Sequence, residues 1–158
     1  MTEELLVTQE MRDVIGVESE PVTYDVEKGA IVKFAQAIAD SNPIFNIEEA
    51  ARKTRYGGLI APPTFLRSMV PVPVVKTPNP YQARLDGGSE WEYFEPVRPG
   101  DKITVITEIA DIFKRQGRLG DMLFVITKIR YVNQFGRLAV LQRNTMINYN
   151  PPERGSRD

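Results

Sequence analysis

The sequence predicts an α+β domain in which an antiparallel sheet wraps around a helix. Apolar residues follow helical spacing in the first half of the chain and the alternation typical of strands in the second half. The 158 residues suffice for one core, and no internal repeat suggests a second domain. We therefore expect a helical extension over residues 1–19, a single domain over residues 20–150 and a polar tail over residues 151–158.

Three helices are expected in the first half. Residues 3–15 carry apolar side chains at helical spacing, and Gly16 is the predicted end of this first helix. After a short strand at 21–25, a second helix is expected over 26–39, with Asp25 as its N-cap. The dense turn signal of residues 40–46 ends that helix, and residues 47–55 predict a short third helix.

A further helix is predicted to begin at Pro62 and Pro63. Proline suits the first turn of a helix, where backbone N–H groups have no intrahelical acceptor. This helix would bury one apolar stripe, formed by Phe65, Leu66, Met69 and Val70. Four prolines between residues 71 and 80 then predict an irregular loop.

The second half predicts a series of long strands. Gly87 and Gly88 are expected to form a flexible entry ahead of the first one, although a glycine there would also let a ligand approach the backbone. Residues 98–101 have the proline and glycine of a type II turn. Two strands follow around residues 103–109 and 123–131, and a hairpin connection at 132–136 leads into the last strand.

Composition excludes several classes of function. A net charge of −1 provides no basic field for a nucleic acid or an anionic membrane, so neither is an expected partner. No run approaches the roughly 18 apolar residues of a membrane span, and the first 16 residues do not resemble a secretory signal. The absence of cysteine rules out disulfides and thiolate metal sites. Together these features predict a cytoplasmic protein.

The chain contains no histidine. Histidine is the usual proton-transfer side chain near neutral pH and the commonest metal ligand. Its absence rules out a Ser-His-Asp triad, a Cys-His pair and a histidine metal site, and we expect no bound metal. Acid–base chemistry would have to use carboxylates, tyrosines, lysines or a group supplied by another chain.

Three segments, at residues 34–45, 56–65 and 87–101, carry a family resemblance. In order and spacing they resemble the MaoC-like hot-dog dehydratases, and specifically their N-terminal, fatty-acid-synthase-type dehydratase module. The resemblance implies a hot-dog fold, with an antiparallel sheet wrapped around a central helix, over about residues 20 to 150. It also implies a substrate carried as a coenzyme A or acyl carrier protein thioester, no cofactor, and a homo- or hetero-oligomer with another hot-dog subunit.

The family's catalytic pattern resembles G-D-x-N-P-[IL]-H, in which an aspartate and a histidine hold a catalytic water. Asp40 matches the aspartate, Asn42 matches the asparagine, and Phe45 stands where the histidine belongs. A benzyl ring neither donates nor accepts a proton, so half of the acid–base pair is missing. Without the resemblance, helix capping and turn formation explain Asp40 and Asn42 well.

The second family pattern resembles A-H-G-M, whose glycine N–H binds the thioester carbonyl. This chain has Ala61-Pro62-Pro63-Thr64 instead, and proline has no N–H to donate. Thr64 or Gly58 would have to provide the donor, although a glycine at position 58 is more often part of a turn. The resemblance predicts a substrate-binding wall formed by Phe45, Gly58, Ile60, Ala61, Thr64, Phe65 and Gly87.

Three functional hypotheses follow. The chain is a catalytically incomplete, substrate-shaping subunit of an enoyl-thioester hydratase or 3-hydroxyacyl-thioester dehydratase, with a histidine-bearing hot-dog partner. Alternatively, it is a self-sufficient hydratase using Asp40 with an acid such as Tyr24 or Tyr56, or a thioesterase. A third hypothesis is a module that binds acyl-CoA without reacting. We favour the first, because losing one proton-transfer group forgoes a factor of roughly 10² to 10⁴ in rate.

Overall fold

The computed structural model describes residues 7–151 and contains one five-stranded antiparallel sheet. The strand order is β1-β3-β4-β5-β2. The strands are β1 (Val22–Asp25), β2 (Ala83–Tyr93), β3 (Lys102–Gly117), β4 (Gly120–Val132) and β5 (Leu138–Tyr149). The predicted α+β class and the antiparallel strands of the second half are confirmed.

Helical segments precede the long strands. They are α1 (Gln9–Asp13), α2 (Lys28–Ala37), α3 (Pro43–Asn46), α4 (Glu48–Arg52) and a 3₁₀ helix (Pro63–Ser68). Of the extension predicted to be helical over residues 1–19, the described part is helical only in α1, and Ile15 and Glu18 instead form bridges to β3. Residues 1–6 of that extension and residues 152–158 of the predicted tail lie outside the described residues.

The start of α2 differs from the prediction. Asp25 is the last residue of β1, opposite Lys102 of β3, and its carboxylate accepts a hydrogen bond from the Lys102 ammonium at 2.6 Å. Glu27 occupies the N-cap position of α2 and makes no side-chain cap bond. The prediction of Asp25 as the cap was therefore wrong, because strand pairing holds this residue in the sheet.

The turn predicted over residues 40–46 contains a helical turn of its own. The side chain of Asn42 accepts a hydrogen bond from the Ile44 N–H and caps α3, whose first residue is Pro43. The short helix predicted over 47–55 is present as α4 but ends at Arg52. Residues 40–46 thus form a capped turn that places Phe45 inside the fold.

The core lies between one face of the sheet and two helical segments, α2 and the 3₁₀ helix. Ile31 of α2 is fully buried and clusters with Phe65 and Leu66 of the 3₁₀ helix on Val105 and Tyr131 of the sheet. The helix predicted to start at Pro62 and Pro63 is a 3₁₀ helix of only six residues, Pro63–Ser68. Val70, predicted to be buried, is 66% exposed.

Residues 70–82 form the irregular segment that the prolines predict. Within residues 7–151, this segment takes part in no backbone–backbone hydrogen bond. A side chain at each end ties it to the rest of the fold: the Tyr24 hydroxyl donates to the Pro71 carbonyl, and the N–H of Gln82 donates to Asn150. Proline at position 71 explains why the 3₁₀ helix does not continue.

Gly87 and Gly88 lie inside β2, so the prediction that they precede the strand was wrong. The register of β2 against β5 shifts between Asp86 and Ser89, which marks a β-bulge. A Cβ atom on Gly87 would lie 2.9 Å from the Thr145 Cγ2 atom. A glycine is needed there because β5 fills the space. The predicted turn at 98–101 is confirmed, with Gly100 at a φ of 89°.

Candidate functional site

A cavity of about 460 Å³ opens between α3, the start of the 3₁₀ helix and the end of β2. We call it the first cavity. Its wall includes Phe45, Tyr56, Ala61, Tyr93 and Phe94. Most of this wall is apolar, because it combines aromatic rings, aliphatic side chains and three prolines. Such a cavity suits the apolar part of a ligand.

Asp40 and Asn42 use their polar atoms to build the turn before α3. The Asp40 Oδ1 atom accepts from the Asn42 N–H at 2.9 Å, and the Asn42 Oδ1 atom accepts from the Ile44 N–H at 3.2 Å. The Asn46 amide donates to the carbonyl oxygens of both residues, at 3.0 and 2.9 Å. Neither Asp40 nor Asn42 lines the first cavity. Their capping and turn interactions account for both.

Phe45 presents a ring to the first cavity at the position of the family histidine. It is 6% exposed and clusters with Ala35 of α2 and with Ile60. The side chains nearest to it in this cluster, Ile44 and Tyr56, are also largely apolar. The ring therefore acts as a packed part of the wall and has no atom that could transfer a proton.

The backbone of residues 60–63 offers no free N–H group to the first cavity. The Ile60 N–H donates to the Ile44 carbonyl at 3.2 Å, and the Ala61 N–H donates to the Val97 carbonyl at 2.8 Å. Pro62 and Pro63 have no N–H. An oxyanion that developed beside this segment would find no donor in it, which removes the stabilisation that acyl-transfer and enolate chemistry require.

Of the residues predicted to form the site, the structure brings three together: Phe45, Ile60 and Ala61 line the first cavity. The others lie outside its wall. Phe65 is 4% exposed and packs edge-to-face on Phe34 in the main core. The remaining predicted residues outside the wall are Asp40, Asn42, Gly58, Thr64 and Gly87.

Four polar residues of the first cavity were not predicted as binding residues: Arg55, Tyr56, Tyr93 and Glu95. The Tyr93 hydroxyl donates to the Pro63 carbonyl at 2.9 Å, and burial raises the pKa of Tyr93. The Arg55 guanidinium donates to the Tyr56 hydroxyl at 2.7 Å and lies over the Tyr56 ring. Tyr56 was considered only as a substitute acid, and nothing in the sequence around Arg55 or Tyr93 indicated that they would meet here.

Tyr24, the other substitute acid considered, does not line this cavity, because its hydroxyl is directed to the Pro71 carbonyl. Within residues 7–151, no group of three or more histidine, cysteine or carboxylate side chains could hold a metal ion. In the same range, no helix is both long and apolar enough to cross a bilayer.

Sequence comparison connects this geometry with known proteins. A family model described as the FAS1-like dehydratase domain region matches residues 13–142. A UPF0336 protein of Saccharopolyspora erythraea is 33% identical over 140 residues, which cover 84% of this chain and 87% of that protein. A UPF0336 protein of Streptomyces avermitilis is 36% identical over 95 residues, 56% of this chain. That match spans 63% of the Streptomyces protein, slightly less than two thirds.

Structural comparison gives the same family of folds. The MaoC-like dehydratase of Rhodospirillum rubrum superposes with a TM-score of 0.71 at 26% identity, over 92% of this chain and 99% of that one. The ChsH1–ChsH2 complex of Mycobacterium tuberculosis gives a TM-score of 0.75 at 21% identity, covering 89% of this chain and 87% of the matched chain. The HadBC 3R-hydroxyacyl-ACP dehydratase complex of the same organism gives 0.68 at 23%, covering 86% and 98%. The predicted hot-dog fold is confirmed.

Proposed function

Because the chain belongs to the family of FAS1-like dehydratase domains, we propose that it is one subunit of an acyl-thioester hydratase or dehydratase. In this proposal it shapes the acyl-binding site, and a second, histidine-bearing hot-dog subunit supplies the proton-transfer pair. The substrate is an acyl chain carried as a coenzyme A or acyl carrier protein thioester. The reaction is the addition of water to an enoyl thioester or the reverse elimination.

One observation carries the proposal: the ring of Phe45 fills the place of the histidine. It is 6% exposed and held against Ala35 and Ile60, so a packed apolar ring occupies the position that the sequence pattern matches to the histidine. A hydration needs one group to activate water and another to protonate carbon. This chain has no histidine to provide either.

The wall of the first cavity also supports a subunit that binds the acyl chain and leaves proton transfer to its partner. It offers apolar surface from Phe45, Phe94 and Val97, but its prolines provide no N–H donors. Such a wall can exclude water from an acyl chain and orient it. The backbone of residues 60–63 has no free N–H group to stabilise the enolate oxygen that forms during the reaction.

The comparisons support a paired arrangement. Two of the similar solved structures are complexes of differently named chains, ChsH1 with ChsH2 and HadB with HadC. In a pair of hot-dog subunits, one chain can lose its catalytic groups while the other retains them. Phe45 is the substitution expected in the chain that has lost them.

The test is an assay of the purified chain with and without a partner. Hydration of crotonyl-CoA is measured for the chain alone, for a hot-dog protein with an intact G-D-x-N-P-x-H segment encoded beside it, and for the two co-expressed. We expect no turnover by the chain alone and turnover by the pair. Replacing the partner's motif histidine with alanine should reduce the rate of the pair by at least about 100-fold.

The matched control is Asp40→Asn in this chain. Since the Asp40 carboxylate makes a turn and lies outside the cavity wall, the pair carrying Asp40→Asn should retain its rate within about twofold. Turnover by the isolated chain at about 1 s⁻¹ or faster, abolished by Asp40→Asn, would establish a self-sufficient enzyme instead. Acyl-CoA binding without turnover in any combination would establish a binding module.

A further inference from the structure

A second cavity, of about 480 Å³, lies on the inner face of the sheet and shares no lining residue with the first. We call it the sheet groove. Its floor is formed by β3, β4 and β5, and one side is covered by the irregular segment, through residues such as Val72 and Val75. Of the 3₁₀ helix only Arg67, near its end, lines the groove, and no other helix of residues 7–151 contributes to the lining.

The floor of the sheet groove is polar where a core face is normally apolar. The strand register places Thr107, Ile129 and Gln142 in one row across the sheet, and Ile109, Thr127 and Asn144 in the next. The neighbouring row under the helices, Val105–Tyr131–Val140, is buried core. Between one row of paired residues and the next, the inner face of the sheet therefore changes from buried core to the polar floor of the groove.

Two of these polar side chains, those of Gln142 and Asn144, are held in place by hydrogen bonds to neighbouring side chains. The Gln142 Oε1 atom accepts from the Tyr131 hydroxyl at 2.9 Å, and the Gln142 amide donates to the Ser89 hydroxyl at 3.0 Å. The Asn144 amide donates to the Ser89 hydroxyl at 3.1 Å and to the Asp86 carboxylate at 3.3 Å. A network fixed in this way presents a preorganised surface.

Thr107 is not part of this network. Its side chain lines the groove and is 2% exposed, and its hydroxyl has no hydrogen-bond partner among residues 7–151. A buried hydroxyl without a hydrogen-bond partner is destabilising, and such groups are uncommon in folded proteins. A ligand oxygen in the groove would supply the missing partner.

We propose that the sheet groove binds a neutral small molecule that has an apolar body and a hydroxyl or carbonyl oxygen, with Thr107 hydrogen-bonded to that oxygen. The apolar body would pack on Ile109, Val125 and Ile129. The three floor strands contribute no charged side chain to the groove, so a buried anion or cation would lack a counter-charge. The charged residues of the lining, Arg67, Arg84 and Asp86, lie outside these three strands, and Arg67 and Asp86 are 4.0 Å apart. This inference does not rest on the proposed function.

The test uses three probes of nearly the same shape: 1-naphthol, 1-methylnaphthalene and 1-naphthoate. Binding of each to the full chain is measured by NMR titration of the isotope-labelled protein at neutral pH. One net hydrogen bond should make 1-naphthol bind about 2- to 12-fold more tightly than 1-methylnaphthalene. The backbone amides that shift should be those of Thr107, Thr127 and Asn144.

Thr107→Val removes the hydroxyl and keeps the shape, so the ratio of the two dissociation constants should fall to about 1. Thr104→Val is the matched control on the same strand, because the Thr104 hydroxyl is paired with Thr23 at 2.9 Å and lies outside the groove. It should leave the ratio unchanged.

Four results would overturn the proposal. They are the absence of binding by any probe at its solubility limit, equal binding of 1-naphthol and 1-methylnaphthalene to the natural sequence, an unchanged ratio in Thr107→Val, and tightest binding by 1-naphthoate. Amide shifts confined to Tyr56 and Phe94 would also overturn it, since the probe would then occupy the first cavity.

Discussion

The first cavity and the sheet groove have similar volumes, about 460 and 480 Å³. They differ in whether a sequence motif marks them and in which polar side-chain atoms they contain. The first carries a family motif, yet Asp40 and Asn42 each hold a turn through one side-chain oxygen and lie outside the wall, and Phe45 contributes only a ring. The groove carries no motif, yet the Thr107 hydroxyl there has no hydrogen-bond partner among the described residues 7–151. A motif locates a place in the fold, whereas the chemistry depends on which polar atoms are left free.

The largest predicted effect tests whether Phe45 is a structural part of the first cavity. Phe45→Ala should lower the free energy of unfolding by about 3 kcal/mol, because the ring is buried against Ala35 and Ile60. Phe94→Ala, on the opposite wall and 54% exposed, should lower it by less than about 1 kcal/mol. Urea denaturation measures both. Equal losses would mean that the two aromatic walls play the same role.

The second prediction concerns the border between the groove and the core. Burial raises the pKa of Tyr131 to about 12, whereas a free tyrosine has a pKa of about 10. Between these values the unfolded chain loses the proton and the folded chain keeps it. The free energy of unfolding should therefore fall as the pH rises from about 10 to 12, by about 2 kcal/mol in total.

Tyr131→Phe is the control for this pH dependence. It removes the titrating group, so stability measured by urea denaturation between pH 9 and 12 should lose that part of its slope. An identical slope in Tyr131→Phe and in the natural sequence would assign the effect to other groups.

The third prediction tests the bulge beside the groove. In Gly87→Ala the added Cβ would lie 2.9 Å from Thr145 Cγ2 and 3.1 Å from the Thr145 carbonyl oxygen. This overpacking should lower the free energy of unfolding by about 1.5 kcal/mol. Gly29→Ala in α2, where nothing lies within 4 Å of an added Cβ, should instead raise it by about 0.5 kcal/mol. Thermal unfolding distinguishes the two directions.

The smallest effect is a gain. Thr107→Val should raise the free energy of unfolding by about 1 kcal/mol, because it removes a buried hydroxyl that has no partner in the part of the chain that the structure describes. Thr104→Val, which breaks the hydrogen bond to Thr23, should show no gain. Urea denaturation of both variants without ligand provides the comparison. A loss of stability in Thr107→Val would show that the hydroxyl is already satisfied.

The sequence was sufficient to predict the sheet. Strands β3 and β4 alternate buried and partly exposed residues, for example Ile103, Val105, Thr107 and Ile109 on the inner face of β3, and this period of two is visible without coordinates. The turn at Gly100 was predictable for a similar reason, since only a glycine readily adopts its positive φ. Local rules decide local structure well.

The two binding regions were less predictable, because each depends on contacts between distant segments. Tyr93 and Pro63 meet across 30 positions of the sequence. The floor of the groove depends on the register that aligns Thr107 with Ile129 and Ile129 with Gln142, and a shift of one residue would turn each side chain to the other face. Sequence periodicity reveals which strands exist but not which of their residues become neighbours.

The same limit explains the errors around the helices. Asp25 has the composition of an N-cap, but pairing with Lys102 in the sheet decided its role. The stripe of Phe65, Leu66, Met69 and Val70 predicted a longer helix. Its first three residues are buried, but Val70 and Pro71 leave the core. In both cases a tertiary interaction or a proline overrode a local preference.

The irregular segment over residues 70–82 has one more consequence. This segment contains four prolines and is attached to its surroundings through hydrogen bonds that involve side chains. Within residues 7–151 it makes no backbone–backbone hydrogen bond to the sheet. Its length and sequence can therefore vary without disturbing the strands beneath it. Insertions or deletions in this segment would therefore change the size of ligand that the sheet groove admits, while the polar floor stays unchanged.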